Sequence, residues 1–291
     1  MRRVRSLLFV PGHKPHMVAK AMASEADGVI IDLEDAVPED RKLEARAQLA
    51  ELGDPGGHDV FVRTNGPATD LLWGDINALA AARPAGLLLP KAELPSDVLR
   101  IDGALLAAEE AAGLDPGSID LLLSLESALG LQNAYEMARA SERVVSLVFA
   151  SGEEGDLVAD LGVQWSLAGP ELLMARSQTV IAARAAGLDF PLDAVYMNIR
   201  DLDGLRTEAE FAKRLGLTGK LCIHPAQVPI VNDVFTPSQA ELAQQRRILE
   251  AFDRALAEGS AAVQLDGMMI DYANAKRARR ILALAGEDVE G

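Results

Sequence analysis

Acidic and basic side chains stand where short apolar runs of the sequence end. Glu34 and Asp35 follow one such run, Arg63 ends another, Lys91 follows a third and Glu126 closes a fourth. A single charge at such a point is ordinary loop polarity. A set of like charges that converges on one face needs a ligand or a metal to offset its repulsion. We therefore take these strand ends as candidate positions for chemistry.

Glu126 is the first candidate metal ligand, because it closes an apolar run at residues 120–125. The next apolar run ends in a loop with several carboxylates, at residues 151–156. Two carboxylates, with waters and substrate oxygens, form the octahedral oxygen set that suits Mg²⁺. No histidine and cysteine cluster has the spacing of a zinc site. The alternative for Glu126 is an ion pair with Arg63 or Lys91.

Arg63 offers a planar guanidinium that matches a carboxylate or a developing enolate oxygen. Its alternative is a structural salt bridge with Glu34 or Asp35. We expect that acidic pair to position other groups rather than to react. His224, which precedes a proline at the end of the last apolar run, is a candidate substrate contact, although a lone histidine there is more often a structural hydrogen-bonding group.

Short apolar runs alternate with longer helical patterns along the chain. The candidate strands are residues 6–10, 28–33, 59–63, 86–89, 120–125, 144–149, 194–197 and 220–223. The candidate helices are residues 15–24, 39–51, 71–82, 97–112, 129–139, 170–186, 203–215 and 226–235. Strict alternation of this kind predicts a parallel sheet with crossover helices.

Eight strand–helix units favour a closed (β/α)8 TIM barrel over an open doubly wound sheet. Such barrels take roughly 250 residues, and the chain has 291. We predict a barrel at residues 1–235 and a C-terminal helical extension at residues 236–291, which packs on a neighbouring subunit. In a barrel the carboxyl ends of all strands lie on one face, so the candidate residues should meet there.

The composition of the chain narrows the kinds of binding partner that we expect. The formal net charge is −16, from 28 Lys and Arg against 44 Asp and Glu, which disfavours nucleic acid and anionic membrane surfaces. No apolar run near the start has the length of a signal segment or membrane span. The single cysteine, Cys222, forms no intrachain disulfide. These features lead us to expect a cytoplasmic protein.

Several motifs in order carry a resemblance to a known family. They are RSLLFVPG at residues 5–12, IIDLEDAV at 30–37, VRTN at 62–65, LPK at 89–91, DLVADLG at 156–162, IHPAQ at 223–227 and LDGMMID at 265–271. Together they resemble the citrate lyase β-subunit-like family, which includes malyl-CoA and citramalyl-CoA lyases. The resemblance extends from about residue 5 to residue 284.

The resemblance implies a magnesium-dependent barrel enzyme that cleaves or forms a carbon–carbon bond beside a thioester, with Mn²⁺ as a substitute metal. It implies Glu126 and Asp156 as metal ligands, Arg63 as the contact to the substrate and its enolate oxygen, and Asp271 as a catalytic acid. The loop before Asp156 is longer than in the family pattern, so Glu153 and Glu154 are alternative ligands.

The resemblance also implies a homotrimer, or a multiple of it, in which the extension reaches a neighbour's site. Coenzyme A phosphates need cations, and Lys14 and Lys20 are the nearest candidates in the sequence. Two alternatives stay open. One is a metal-dependent aldolase that acts on free 2-oxo acids. The other is the β subunit of a citrate lyase complex, which acts on a thioester carried by an acyl-carrier protein partner.

Overall fold

The computed structural model describes residues 4–52, 58–150 and 152–287. The chain divides into two compact units, Met1–Phe235 and Thr236–Gly291. In the first unit, eight strands pair in sequence order and close into a barrel, with every neighbouring pair parallel. This confirms the predicted (β/α)8 barrel. The strands are β1 Ser6–Pro11, β2 Gly28–Asp32, β3 Asp59–Arg63, β4 Gly86–Leu89, β5 Asp120–Leu125, β6 Val144–Phe149, β7 Leu192–Asp193 and β8 Gly219–Cys222.

Helices follow the strands of the barrel. They are α1 Pro15–Met22, α2 Lys42–Leu49, α3 Leu71–Ala82, α4 Pro95–Ala112, α5 Ala128–Gln132, α6 Ala134–Arg139, α7 Asp156–Leu161, α8 Leu173–Ala185, α9 Leu202–Leu215 and α10 Val228–Phe235. The short helix α7 is absent from the sequence-based prediction, and it begins at a candidate metal ligand. No helix in the described ranges has the length and apolar character needed to cross a bilayer.

One buried residue from each strand fills the barrel interior. These residues form a cluster of their own: Leu7, Ile30, Phe61, Leu88, Leu122, Val148, Leu192 and Leu221. Alternate strand residues point outward and pack with the helices in a second, larger core. Since side chains in a strand alternate between two faces, this register decides which residues reach the barrel mouth. The next residues on the same face, two positions further along their strands, are Phe9, Asp32, Arg63 and Ser124. Glu126 lies two positions after Ser124.

The seventh strand differs from the prediction. The sequence predicts it at residues 194–197, but the structure has Leu192–Asp193. Leu192 pairs with Val148 of β6 and with Gly219 of β8. Ala194, Val195 and Met197 instead line a cavity at the barrel mouth. Their apolar character therefore reflects a cavity wall rather than strand pairing.

A buried charge network joins the last two strands to helices α8 and α9. Lys220 Nζ lies 2.7 Å from Asp193 Oδ2 and 2.8 Å from Glu208 Oε2. Arg176 pairs with the same two carboxylates, Nε at 3.1 Å from Asp193 Oδ1 and Nη2 at 3.0 Å from Glu208 Oε1. The two cations balance the two anions, as full burial of all four residues requires.

The second unit contains α11 Gln239–Ala257, a hairpin of β9 Val263–Leu265 and β10 Met268–Ile270, and α12 Tyr272–Leu284. Its own small core includes Leu249, Phe252, Ala275 and Leu282. The Phe252 and Tyr272 rings meet edge to face, with centroids 4.9 Å apart.

Candidate active site

A cavity of about 420 Å³ opens where the barrel strands end. Five carboxylates and two cations line it among the residues that the structure describes: Asp35, Glu126, Glu153, Glu154, Asp156, Arg63 and Lys91. The structure thus brings Arg63, Glu126 and Asp156 to one place. The excess of carboxylates makes the cavity a favourable site for a cation.

Arg63 is held by Asp32, a residue that the sequence-based site did not include. Nε donates to Asp32 Oδ1 at 2.7 Å and Nη2 donates to Oδ2 at 2.6 Å. Asp32 also accepts from the backbone N–H groups of Glu34 and Ala36, at 2.9 and 3.0 Å. The buried Asp32 carboxylate is therefore fully paired and acts as a fixed support for Arg63. The charged residue at the end of an otherwise apolar run was the signal that could have found it.

The remaining guanidinium nitrogen of Arg63, Nη1, faces the acidic pair. It lies 3.0 Å from Glu34 Oε2 and 3.4 Å from Asp35 Oδ2. The guanidinium carbon also stands 4.9 Å from the centre of the Phe9 ring. Burial works to lower the pKa of Arg63, but Asp32 and Glu34 raise it above its ordinary value. Arg63 thus presents a permanent positive charge at the cavity wall, with each guanidinium nitrogen beside a carboxylate.

Glu126 is a buried carboxylate on the cavity wall. Burial raises its pKa, a hydrogen bond with Ser124 and the charges of Arg63 and Lys91 lower it, and the Asp156 carboxylate raises it further. Asp156 opens α7 and is more exposed. The repulsion between these two carboxylates is what a divalent cation placed between them would relieve. The donor set is all oxygen, so it fits Mg²⁺.

The acidic pair links both cations. Glu34 Oε1 lies 3.0 Å from Lys91 Nζ, while its other oxygen pairs with Arg63. Burial raises the pKa of Glu34 to about 7 against the lowering effect of Arg63, and the charges of Asp35 and Glu126 raise it as well. The Lys42 ammonium, from α2, donates to the backbone carbonyl of Glu34 at 3.0 Å. Glu34 is therefore positioned from both sides, as expected for a residue that orients its neighbours.

The other candidate residues lie elsewhere in the described structure. Lys14 precedes α1 and Lys20 is in its last turn, and both are exposed. His224 is exposed and caps a short 3₁₀ helix, where its Nδ1 accepts from the Ala226 N–H at 3.1 Å. These three are outside the group of described residues that line the cavity.

Asp271 belongs to the second unit, where it forms the N-cap of α12. Its carboxylate accepts from the backbone N–H groups of Ala273 and Asn274, at 2.9 and 3.2 Å. The residue is exposed, as are Met268 and Met269 in the hairpin before it. An exposed carboxylate beside apolar side chains at the end of a compact unit is available to a further surface.

Within the described ranges, no group of three or more His, Cys, Asp and Glu side chains is placed so that it could hold a metal ion. The candidate metal site thus rests on two cavity-lining carboxylates, Glu126 and Asp156. The closed parallel barrel and the charged groups at its strand ends place this protein among the (β/α)8-barrel enzymes.

The chain belongs to the HpcH/HpaI aldolase/citrate lyase family, which it matches over residues 5–225. It is 38% identical to the citrate lyase subunit beta of Escherichia coli (strain K12), over 98% of this chain and 94% of that protein. It is 36% identical to a (3S)-malyl-CoA thioesterase of Cereibacter sphaeroides, over 97% of this chain and 94% of that protein. These relatives confirm the citrate lyase β-subunit-like resemblance and an enzyme of the lyase class.

Solved structures of similar proteins agree with this family assignment. The protein CitE from Mycobacterium tuberculosis, in complex with magnesium, acetoacetate and coenzyme A, has a TM-score of 0.78 and 34% sequence identity to this chain. The likeness covers 98% of this chain and 99% of that one. A second CitE structure, in complex with magnesium and pyruvate, has a TM-score of 0.67 and 35% identity over 81% of this chain and 92% of that one.

Proposed function

We propose that this protein is a magnesium-dependent carbon–carbon lyase that cleaves or forms a 3-hydroxyacyl-CoA thioester of the malyl-CoA or citramalyl-CoA type. The observation that carries the proposal is the placement of Glu126, Asp156 and Arg63 around one cavity at the barrel mouth. The related CitE structures with magnesium, coenzyme A and small oxo acids support it.

Glu126 and Asp156 would hold the metal, with Mg²⁺ as the natural ion and Mn²⁺ as a substitute. When bound, a divalent ion supplies positive charge that polarises the substrate hydroxyl and the carbonyl that develops from it. Glu126 is buried and Asp156 stands at the first turn of α7. One ligand is thus held firmly by the barrel, while the other is more accessible to solvent.

In the cleavage direction, the hydroxyl of the 3-hydroxyacyl group gives its proton to a water molecule, and its C–O bond becomes a carbonyl. The bond between the hydroxyl-bearing carbon and the carbon next to the thioester breaks, and its electron pair passes to that second carbon. The products are a 2-oxo acid and the enolate of a coenzyme A thioester. Arg63 would stabilise the enolate oxygen through Nη1, since Asp32 occupies Nε and Nη2, and the substrate would share Nη1 with Glu34 and Asp35.

The enolate carbon needs a proton, and we propose Asp271 as its donor. The second unit carries this residue beside the exposed side chains of Met268 and Tyr272. Such apolar groups favour burial against another surface. The proposal includes a homotrimer, or a multiple of it, in which Asp271 acts on the site of a neighbouring subunit. At that site its carboxyl group would act as the general acid.

Exposed cations at α1 would serve the coenzyme A phosphates. Lys14 and Lys20 are the proposed contacts, and His224 is a proposed substrate contact at the end of β8. A cytoplasmic location is part of the proposal, because Cys222 is the single cysteine of the chain.

A second candidate function is the β subunit of a citrate lyase complex, which would take its thioester from an acyl-carrier protein partner. The identity to citrate lyase subunit beta of Escherichia coli, over nearly the whole chain, favours it. The same site would perform the same bond cleavage. Thioester hydrolysis after cleavage is a further outcome, which the malyl-CoA thioesterase relative supports.

The test is a mass-spectrometric screen of the purified chain. Acetyl-CoA or propionyl-CoA is combined with glyoxylate, pyruvate or oxaloacetate, with Mg²⁺ or with excess EDTA. With Mg²⁺ we expect a 3-hydroxyacyl-CoA product to form, or such a thioester to be cleaved. With excess EDTA we expect neither reaction. Turnover only when an acyl-carrier thioester is supplied would favour the citrate lyase subunit. Turnover of free 2-oxo acids without coenzyme A would favour the aldolase, and full activity in metal-free protein would contradict the metal site.

A further inference from the structure

Lys91 connects two walls of the cavity. Its ammonium lies 3.0 Å from Glu34 Oε1 and 3.0 Å from Asp156 Oδ2, with Asp35 Oδ1 at 3.8 Å. Glu34 follows β2, whereas Asp156 opens α7 after β6. One lysine side chain thus bridges the acidic pair and a proposed metal ligand.

The backbone of Lys91 is also unusual. Its φ of 53° lies in the left-handed region, which is less favourable for lysine than for glycine or asparagine. β4 ends at Leu89, and the left-handed conformation of Lys91 turns the chain just after that strand. A strained backbone position at the mouth of a site points to a role for its side chain there.

The other cation of the cavity cannot take this role. Arg63 gives Nε and Nη2 to Asp32 and is mostly buried. Lys91 has a flexible four-carbon stem and its side chain is 42% exposed, so its ammonium can leave one carboxylate without leaving solvent. It can stay paired with Glu34 when Asp156 takes another partner.

We propose that Lys91 is a tethered cation that competes with the divalent metal for Asp156. This inference rests on the proposed metal site. A metal ion that binds Asp156 must displace the ammonium from that carboxylate, so the lysine weakens metal affinity while it keeps Asp156 directed at the cavity. The ammonium then remains at the cavity edge through Glu34, with its charge free to face an anionic substrate.

The test is calorimetric titration of Mg²⁺ and Mn²⁺ into the full-length protein. Lys91→Met removes the charge with similar side-chain length, and Lys91→Asn removes it with a residue that tolerates the left-handed backbone. We expect both to bind metal more tightly, by roughly 10-fold, with a difference that shrinks in high salt. Lys91→Arg should bind as the wild type does.

The matched control is Arg139→Met, which removes one positive charge from the exposed surface of α6 and should leave affinity unchanged. Circular dichroism establishes that each variant is folded. Folded neutral variants that bind metal as weakly as the wild type, or more weakly, would show that Lys91 only supports Asp156 structurally, and the inference would be wrong. Wild-type protein that binds no metal would overturn the proposed metal site itself.

Discussion

The Asp160 carboxylate accepts a hydrogen bond from the backbone N–H of Ala128, at 2.7 Å. Asp156 lies one turn earlier on α7, and Glu126 lies two residues before Ala128. This bond therefore ties the helix that carries one proposed metal ligand to the segment that carries the other. A contact between residues 32 positions apart in sequence thus helps to hold the two segments together.

The first prediction concerns that pair. Glu126→Ala and Asp156→Ala should each abolish Mg²⁺ binding in calorimetric titration, because a site with two protein carboxylates cannot lose one and keep its affinity. Glu153→Ala and Glu154→Ala are the matched controls on the same loop and should bind normally. If Asp156→Ala binds Mg²⁺ normally and either control variant loses Mg²⁺ binding, the second metal ligand is Glu153 or Glu154 rather than Asp156.

The second prediction concerns Arg63. Arg63→Lys should keep the fold but lose about 10²–10³-fold in kcat, the usual cost of one lost donor to a developing oxyanion. Lysine supplies a point charge where Asp32 and the substrate need the separate nitrogens of a planar fork. Steady-state kinetics measures the loss.

Arg143→Lys is a matched control for that substitution. Arg143 makes a similar buried pair with Glu109, Nη2 to Oε2 at 2.6 Å, but it precedes β6 at the opposite end of the strand. Its replacement should lower stability and leave kcat nearly unchanged. Near-wild-type turnover in Arg63→Lys would assign Arg63 a structural role.

The third prediction concerns Asp271. Asp271→Asn should leave metal and thioester binding intact while it lowers the rate, because the amide cannot donate the proton. Asparagine also serves well as an N-cap, so α12 should remain folded. Thermal melting checks this point.

Complementation tests whether Asp271 acts across subunits. Asp271→Asn and Glu126→Ala subunits, mixed, dissociated and reassembled, should recover part of the activity, since some sites then combine an intact barrel with an intact Asp271. Sedimentation of the active species should give a trimer or a multiple of it. No recovery in reassembled mixtures, or an active monomer, would contradict action across subunits.

The fourth prediction concerns stability against pH. Burial works to raise the pKa of Glu109, but Arg143 and the backbone N–H groups of Gly117 and Ile119 lower it to about 2, from an ordinary value of 4.5. A lowered folded-state pKa adds stability that is present above the ordinary pKa and is lost as the pH falls toward the folded value. The Glu109 contribution should therefore disappear between about pH 4.5 and about pH 2.

Urea unfolding of wild type and Glu109→Gln at about pH 7 and about pH 3 measures this effect. The stability difference between the two proteins should be larger at the higher pH. Glu110→Gln, one residue later on the exposed face of α4, is the control and should show little difference at either pH. A difference that is constant with pH would mean that Glu109 is not held ionised by Arg143.

The sequence by itself was sufficient for the architecture. Most strands and helices of the barrel show local apolar periodicity, and eight alternating units have few ways to pack besides a closed barrel. The same periodicity placed α3 at the residues where the structure has it. Apolar periodicity gave the wrong residues for β7. Residues 194–197 are apolar because most of them line a cavity, and the position of that cavity depends on long-range packing.

The candidate ligands Glu126 and Asp156, and Arg63, could be named from strand ends and family motifs, because their types and positions are local information. The acidic pair Glu34 and Asp35 could also be named as a partner of Arg63, but the other partners could not be named. That Asp32 occupies two nitrogens of Arg63, and that Lys91 bridges Glu34 and Asp156, depends on side-chain distances between separate strands. Those distances are set by barrel closure and strand register, which no single segment of the sequence contains, so only the tertiary structure decided them.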